Sequence, residues 1–173
     1  QIVIVPIIPN DKDKDSVMKV VNQLNDSLSE FRVIIDDRSE VSPGFKFNEW
    51  EQKGVPLRVE VGPKDIEKNT ILVSRRDDES KNSYPMDDVQ NTIKKLLDEI
   101  QDNLYKNSEN TLKENTTHVE SFSELIEVLN SKKGFVSCFW KENKEDELKI
   151  KEETTATLRS VSYTHLRAHE TRE

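Results

Sequence analysis

Between residues 36 and 65 the chain reads DDRSEVSPGFKFNEWEQKGVPLRVEVGPKD. Phe45, Phe47 and Trp50 are close neighbours there, and Glu49, Glu51, Lys53, Arg58, Glu60, Lys64 and Asp65 set both charge signs around them. Carboxylates accept from N–H groups, guanidinium and ammonium groups donate, and flat rings stack. Such a set suits hydrogen bonding to base edges and stacking on unpaired nucleotides. The alternative is plain packing, with Phe45 and Trp50 in a core and the charges on a solvated face. Residue types alone leave both open.

The elements around this segment follow from periodicity. Residues 1–8 (QIVIVPII) read as a buried strand that ends at Pro9-Asn10. Val17, Val20, Val21, Leu24, Leu28 and Phe31 recur at helical spacing, so residues 16–31 form an amphipathic helix. Residues 32–36 (RVIID) are a second strand. Strand, helix and strand in this short compass make a βαβ unit and a parallel pair. Pro43-Gly44 turns the chain into a short helix over 45–53, which Gly54 stops. Residues 56–61 (PLRVEV) alternate as a strand with one wet face, and residues 70–75 (TILVSR) are a further strand. An amphipathic helix is expected over 86–105, then a polar hinge over 107–117. A second module opens with a capping box, Ser121 and Glu124, with Gly134 at the helix C′ position. A strand over 135–140 and a Lys/Glu helix over 143–154 complete it.

Composition narrows the function. The chain has 173 residues, net charge −8, 35% charged residues and one cysteine. A single cysteine excludes an internal disulfide framework and fits a reducing compartment, so a cytoplasmic location is expected. The apolar runs are strand-sized, which argues against a membrane helix. A net acidic chain is not a nonspecific binder of the phosphate backbone. The chain opens at Gln1 directly in a strand, as expected of a piece of a longer polypeptide. Residues 161–173 (VSYTHLRAHETRE) change character abruptly and resemble adapter-derived sequence, so they are set aside from fold reasoning.

The string SPGFKFNEWEQKGVPLRVEVGPKD resembles the anticodon-binding domain of prolyl-tRNA synthetases of the type found in archaea, eukaryotes and some bacteria. The flanks agree: VIVPI at 3–7, IIDDR at 34–38, ILVSRRD at 71–77 and EETTATLR at 152–159. The resemblance spans nearly all of residues 1–160. It implies an α/β class II synthetase anticodon-binding fold, a mixed and largely parallel sheet with helices on both faces. A small α/β C-terminal module follows. The implied domains are 1–108 (anticodon-binding) and 109–160 (C-terminal, truncated).

The implied partner is the anticodon stem-loop of proline tRNA, whose second and third anticodon letters are guanine. By motif position Glu51, Arg58, Lys64 and Asp65 are the base-reading residues. A carboxylate can accept from the N1–H and N2–H₂ edge of guanine, and Arg or Lys can donate to O6 and N7. Phe47 is the candidate stacking platform, with half-buried packing as the alternative. Lys46 and Lys81 are candidate phosphate contacts, with a simply solvated surface lysine as the alternative. Arg75 and Arg76 either face RNA or pair with Asp36 and Asp37. No catalytic residue is expected here. The family's catalytic domain, with its ATP and Mg, is not represented in this sequence, so the fragment alone should not activate proline. Family members are usually homodimers through that domain.

The sequence departs from the family at a four-cysteine zinc site. Trp140 is followed by Lys141, Asp146 stands at the next cysteine position, and the region of the second pair is missing. Cys138 alone cannot build a tetrahedral thiolate site, so no zinc is expected. Cys138 reads as a buried thiol, His118 as a solvated linker residue, and the Asn115-Thr116-Thr117 sequon as coincidence. His165 and His169 have helical metal-ligand spacing but lack a third ligand. Two rival readings remain: an anticodon-type domain of another class II synthetase, or an accessory module of the same fold that binds proteins.

Overall fold

Ile2–Pro6 is a run of apolar residues and forms a fully buried strand, β1. In the computed structural model, which describes residues 1–132, 134–140 and 143–159, β1 lies inside a five-stranded sheet. Lys141 and the 161–173 tail, with His165 and His169, lie outside the described residues. The chain divides into two compact units, Gln1–Asn107 and the residues from Ser108 onward.

In the first unit, helix α1 (Lys14–Ser27) follows β1 and buries Val17, Val21 and Leu24. Strand β2 (Val33–Ile35) then pairs parallel to β1, with Ile2 opposite Val33 and Ile4 opposite Ile35. Helix α2 (Pro43–Gln52) starts where the Ser42 Oγ accepts from the Phe45 N–H, and Pro43 supplies a helical φ at the first position. It ends at Gly54, whose φ of +77° is the left-handed turn that glycine adopts without penalty. Strand β3 (Leu57–Val61) pairs parallel to β1, and the short helix α3 (Pro63–Glu67) follows. Strands β4 (Thr70–Arg75) and β5 (Lys81–Pro85) add successive antiparallel pairs. The order is β2-β1-β3-β4-β5. Four of these five strands therefore run in one direction and only β4 is reversed.

Strand β5 was not visible in the sequence. KNSYP has no apolar alternation, because an edge strand needs only the backbone of its neighbour and can carry Pro85 at its end. Helix α4 (Val89–Glu114) closes the unit, burying Val89, Ile93, Leu96 and Ile100. It begins three residues later than expected and continues through 107–114, where the composition reads as a hinge. Polar residues extend an existing helix at little cost, since nucleation is the expensive step. Lys113 supports that stretch by pairing with Glu109 one turn back (3.0 Å).

The two faces of the sheet differ. One buries Ile2, Ile4, Leu57, Val59, Val61, Ile71 and Val73 against α1 and α4 in the main core. On the other, the register aligns Ile34, Val3, Arg58, Ser74 and Lys81 across the five strands. Only part of this second face is covered. Val3 is fully buried whereas Ile34 is 50% exposed.

In the second unit, β6 (Thr116–His118) pairs parallel with β7 (Phe135–Ser137), beside α5 (Phe122–Ser131) and α6 (Lys144–Thr154). Val119, Leu125 and Ile150 form its small core, with Val136, Cys138 and Trp140 packed against it. Ser121 caps α5 as expected, but Glu124 reaches back to the Glu120 N–H rather than to that of Ser121. β7 stops at Ser137, short of the expected strand over 135–140. Gly134 is not a helix C′ residue: a Cβ there would meet the Asn115 carbonyl oxygen at 2.5 Å, so close approach to β6 demands glycine. His118 belongs to β6 rather than to a linker, with its ring edge-on to Phe139. Cys138 is half-buried.

Candidate nucleic-acid interface

Helix α2 sits over the second face of the sheet, and an ionic knot fixes it there. Asp36, at the end of β2, is buried and accepts two hydrogen bonds from Arg38 (2.8 and 2.7 Å) and one from Trp50 Nε1 (2.8 Å). The Lys46 ammonium donates to the Asp36 carbonyl (3.1 Å) and lies 3.8 Å from its carboxylate. Arg38 also bridges to Glu49 on α2 (2.6 Å), which in turn holds Lys53 (2.6 Å). The bonds from Arg38 keep the Asp36 carboxyl well below the usual carboxylate range, against burial, with Trp50 and the charge of Lys46 adding to the effect. Lys46 is only 4% exposed. Its expected phosphate contact is therefore corrected: the ammonium is an internal anchor of α2. Trp50 leans on the same anchor, whereas Phe45 is exposed rather than core.

With α2 so fixed, Phe47 and Glu51 lie one helical turn apart and face β3. The Arg58 guanidinium lies over the Phe47 ring, 4.1 Å from its centroid. It donates to Glu51 (2.8 Å), Glu60 (3.2 Å) and the Ser74 Oγ (3.1 Å). Lys81, on β5, reaches the other oxygen of Glu60 (2.9 Å) and also approaches the Phe47 ring (5.6 Å). Arg76 donates to the Glu51 carbonyl (3.1 Å). Thus Phe47, Glu51, Arg58, Lys81 and Arg76 converge. Glu51 and Glu60 balance Arg58 and Lys81, so the cluster is a pattern of donors and acceptors, not a basic patch. The crevice beside Arg58, lined by Val3, Trp50, Val55 and Pro56, holds about 10 Å³. That is room for one water, so any base must be met on the open face.

Lys64 and Asp65 stand apart from this cluster. They begin α3, beyond the turn at Gly62, about 13 Å of strand from Arg58. Asp65 uses one carboxylate oxygen to accept from the Gly62 N–H (2.9 Å), and Lys64 is exposed. They lie together at the end of β3.

Arg75 is a second correction. It stands opposite Leu57 and so projects from the core face, away from Arg58. There it binds Asp77 through two nitrogens (3.1 and 2.8 Å) and Glu99 of α4 (2.9 Å). Neither Arg75 nor Arg76 pairs with Asp36 or Asp37; Asp36 belongs to the α2 anchor. Hydrogen bonds from Arg75, against burial and with help from Asn103, hold the Asp77 carboxyl down at about 2. Ser74 was not singled out from the sequence, and Glu60 was named only among the surrounding charges. Strand parity could have found both, since Glu60 is two residues from Arg58 and both pairings place Ser74 on the same face.

Comparison with known proteins identifies this architecture. Residues 1–96 match the family described as "Anticodon binding domain". The chain belongs to that family. It is 42% identical over 165 residues to a proline–tRNA ligase of Roseiflexus sp. (strain RS-1), covering 93% of this chain and 34% of the relative. It is also 42% identical over 164 residues to that of Alkaliphilus oremlandii, covering 94% and 34%. Among solved structures it is similar to the prolyl-tRNA synthetase of Cryptosporidium parvum, with a TM-score of 0.77 and 37% identity over 90% of this chain and 33% of that one. The chain thus spans about a third of the length of these relatives. The anticodon-binding family, the α/β fold with its mixed sheet, and the likeness to proline–tRNA ligases agree with what the 42–65 string implied. Among the described residues no helix is long and apolar enough to cross a membrane, and no three His, Cys, Asp or Glu side chains group as metal ligands.

Proposed function

We propose that this chain is the tRNA-reading part of a proline–tRNA ligase, and that it reads the two guanines of the proline anticodon. The observation that carries this reading is the Glu51–Arg58 pair, set beside Phe47 on the open face of the sheet. Guanine presents donors at N1 and N2 and acceptors at O6 and N7. A carboxylate next to a guanidinium offers the matching acceptor and donor. Three of the five Arg58 N–H groups hold internal partners, which leaves two for a base. Lys64 and Asp65 repeat the same donor and acceptor pairing at the end of β3, for a second guanine. Phe47 supplies the ring surface, with Arg58 on one face, and Lys81 and Arg76 add positive charge at the rim.

ATP, Mg and the proline site belong in this reading to a catalytic domain outside the chain. The chain alone then binds tRNA without charging it, and the whole enzyme is a cytoplasmic homodimer through that domain. The test is binding of the 173-residue chain to unmodified transcripts of proline and threonine tRNA. Preference for proline tRNA supports the assignment. Equal affinity for both assigns the chain to another synthetase or to a protein-binding role.

A further inference from the structure

We infer that Glu60 is the positioning residue of this surface: it holds Arg58 and Lys81 in a fixed spacing over Phe47, and discrimination for guanine depends on it. The inference rests on the tRNA-reading function proposed above.

A glutamate on the wet face of a strand is ordinarily solvated. Glu60 is instead 5% exposed. Burying a carboxylate is costly unless it is paired. Here each oxygen takes one cation, Oε1 the Arg58 Nε and Oε2 the Lys81 Nζ. The two cations come from different strands, β3 and β5, with β4 between them. A single bound carboxylate therefore sets their separation.

The partners of Arg58 divide by burial. The Glu51 side chain is 54% exposed, so it can turn to solvent or to an incoming base. Glu60 and Ser74 are buried and stay in place. Glu60 and Ser74 are thus the frame that aims the guanidinium, and Glu51 is the partner that guanine can share.

Replacing Glu60 produces two opposed effects. Glu60→Gln keeps the shape but offers one acceptor oxygen and one NH₂ group. The NH₂ must face a cation, so Arg58 or Lys81 is released. The same change removes one negative charge, which favours RNA binding of any sequence. A positioning role therefore predicts that discrimination falls while affinity for noncognate RNA holds or rises. A merely structural role lowers both together.

The experiment measures binding of the 173-residue chain to the proline tRNA transcript and to one with its two anticodon guanines replaced by adenines. The wild type is measured first. If it binds both equally, the tRNA-reading function itself fails, whatever Glu60 does. If it discriminates, Glu60→Gln should reduce the ratio by about fivefold or more, the scale of one bidentate base contact. Its affinity for the adenine transcript should be unchanged or higher. Glu60→Asp, which keeps the charge but is too short to span both cations, should lose discrimination without the gain in noncognate binding. It also serves if the Gln variant does not fold. Wild-type discrimination in the folded variants, or an equal loss on both transcripts, overturns the inference.

Discussion

Removing Asp36 tests whether the ionic anchor positions α2. In Asp36→Ala the Lys46 ammonium stays buried with only a backbone carbonyl near it, and the Trp50 N–H loses its acceptor. Breaking a buried ion pair on one side costs about 3–5 kcal/mol. Arg38 keeps Glu49 and partial solvent access, so it adds little. In a unit of roughly 100 residues each kcal/mol lowers Tm by about 4–8 °C, so a fall of about 12–40 °C is expected. Thermal unfolding followed by Trp50 fluorescence in a Trp140→Phe background reads the first unit. Asp36→Asn, which retains an acceptor for Trp50, should lose less. Lys46→Met added to Asp36→Ala should recover part of the loss by removing the stranded charge. A Tm within about 3 °C of the parent for Asp36→Ala would refute the anchor, and with it the claim that Phe47 and Glu51 are held in place by Asp36.

Acid stability should depend on Asp77. Its carboxyl is held at about 2 in the folded chain, below its usual value of 3.8. Its contribution, about 2 kcal/mol, is therefore full above pH 4 and is lost as pH falls through 2. Asp77→Asn should remove that part of the acid slope in urea titrations; an unchanged slope counts against the Arg75–Asp77 pairing. Arg58→Lys should weaken binding to the proline anticodon by about 5- to 150-fold, because an ammonium cannot stack flat on Phe47 or reach Glu51, Glu60 and Ser74 together. Equal binding in a gel-shift titration would show that charge alone suffices. Gly134→Ala should destabilise the second unit by about 1–3 kcal/mol through the clash with Asn115, visible as faster proteolysis of residues after Ser108. Unchanged proteolysis would mean that β6 shifts freely to make room.

The elements that were legible from sequence are those whose burial is written in their periodicity. Val17, Val21 and Leu24 mark α1, and the run from Ile2 to Val5 marks β1. Strand β5 and the end of α4 were not legible, because backbone pairing and helix propagation need no apolar pattern. At the candidate site, residue types alone left packing and binding open, and it was the resemblance to the family motif that singled out Phe47, Glu51 and Arg58. Lys46 was misread because a lysine among aromatics looks exposed, and only the fold brings Asp36 under it. Arg75 was misread because its face depends on the β3–β4 register, which places it beside Leu57. Glu60 was one of seven charges around the aromatics with nothing to set it apart, because its partner Lys81 comes from a strand that was not legible.

The central claim is that this surface reads guanine in the proline anticodon. The most direct measurement transplants the proline anticodon loop into threonine tRNA and compares binding of the chain before and after. The account predicts that the transplanted tRNA binds nearly as tightly as proline tRNA, and that Arg58→Lys abolishes the gain. No gain on transplantation, or a gain that survives Arg58→Lys, would contradict it.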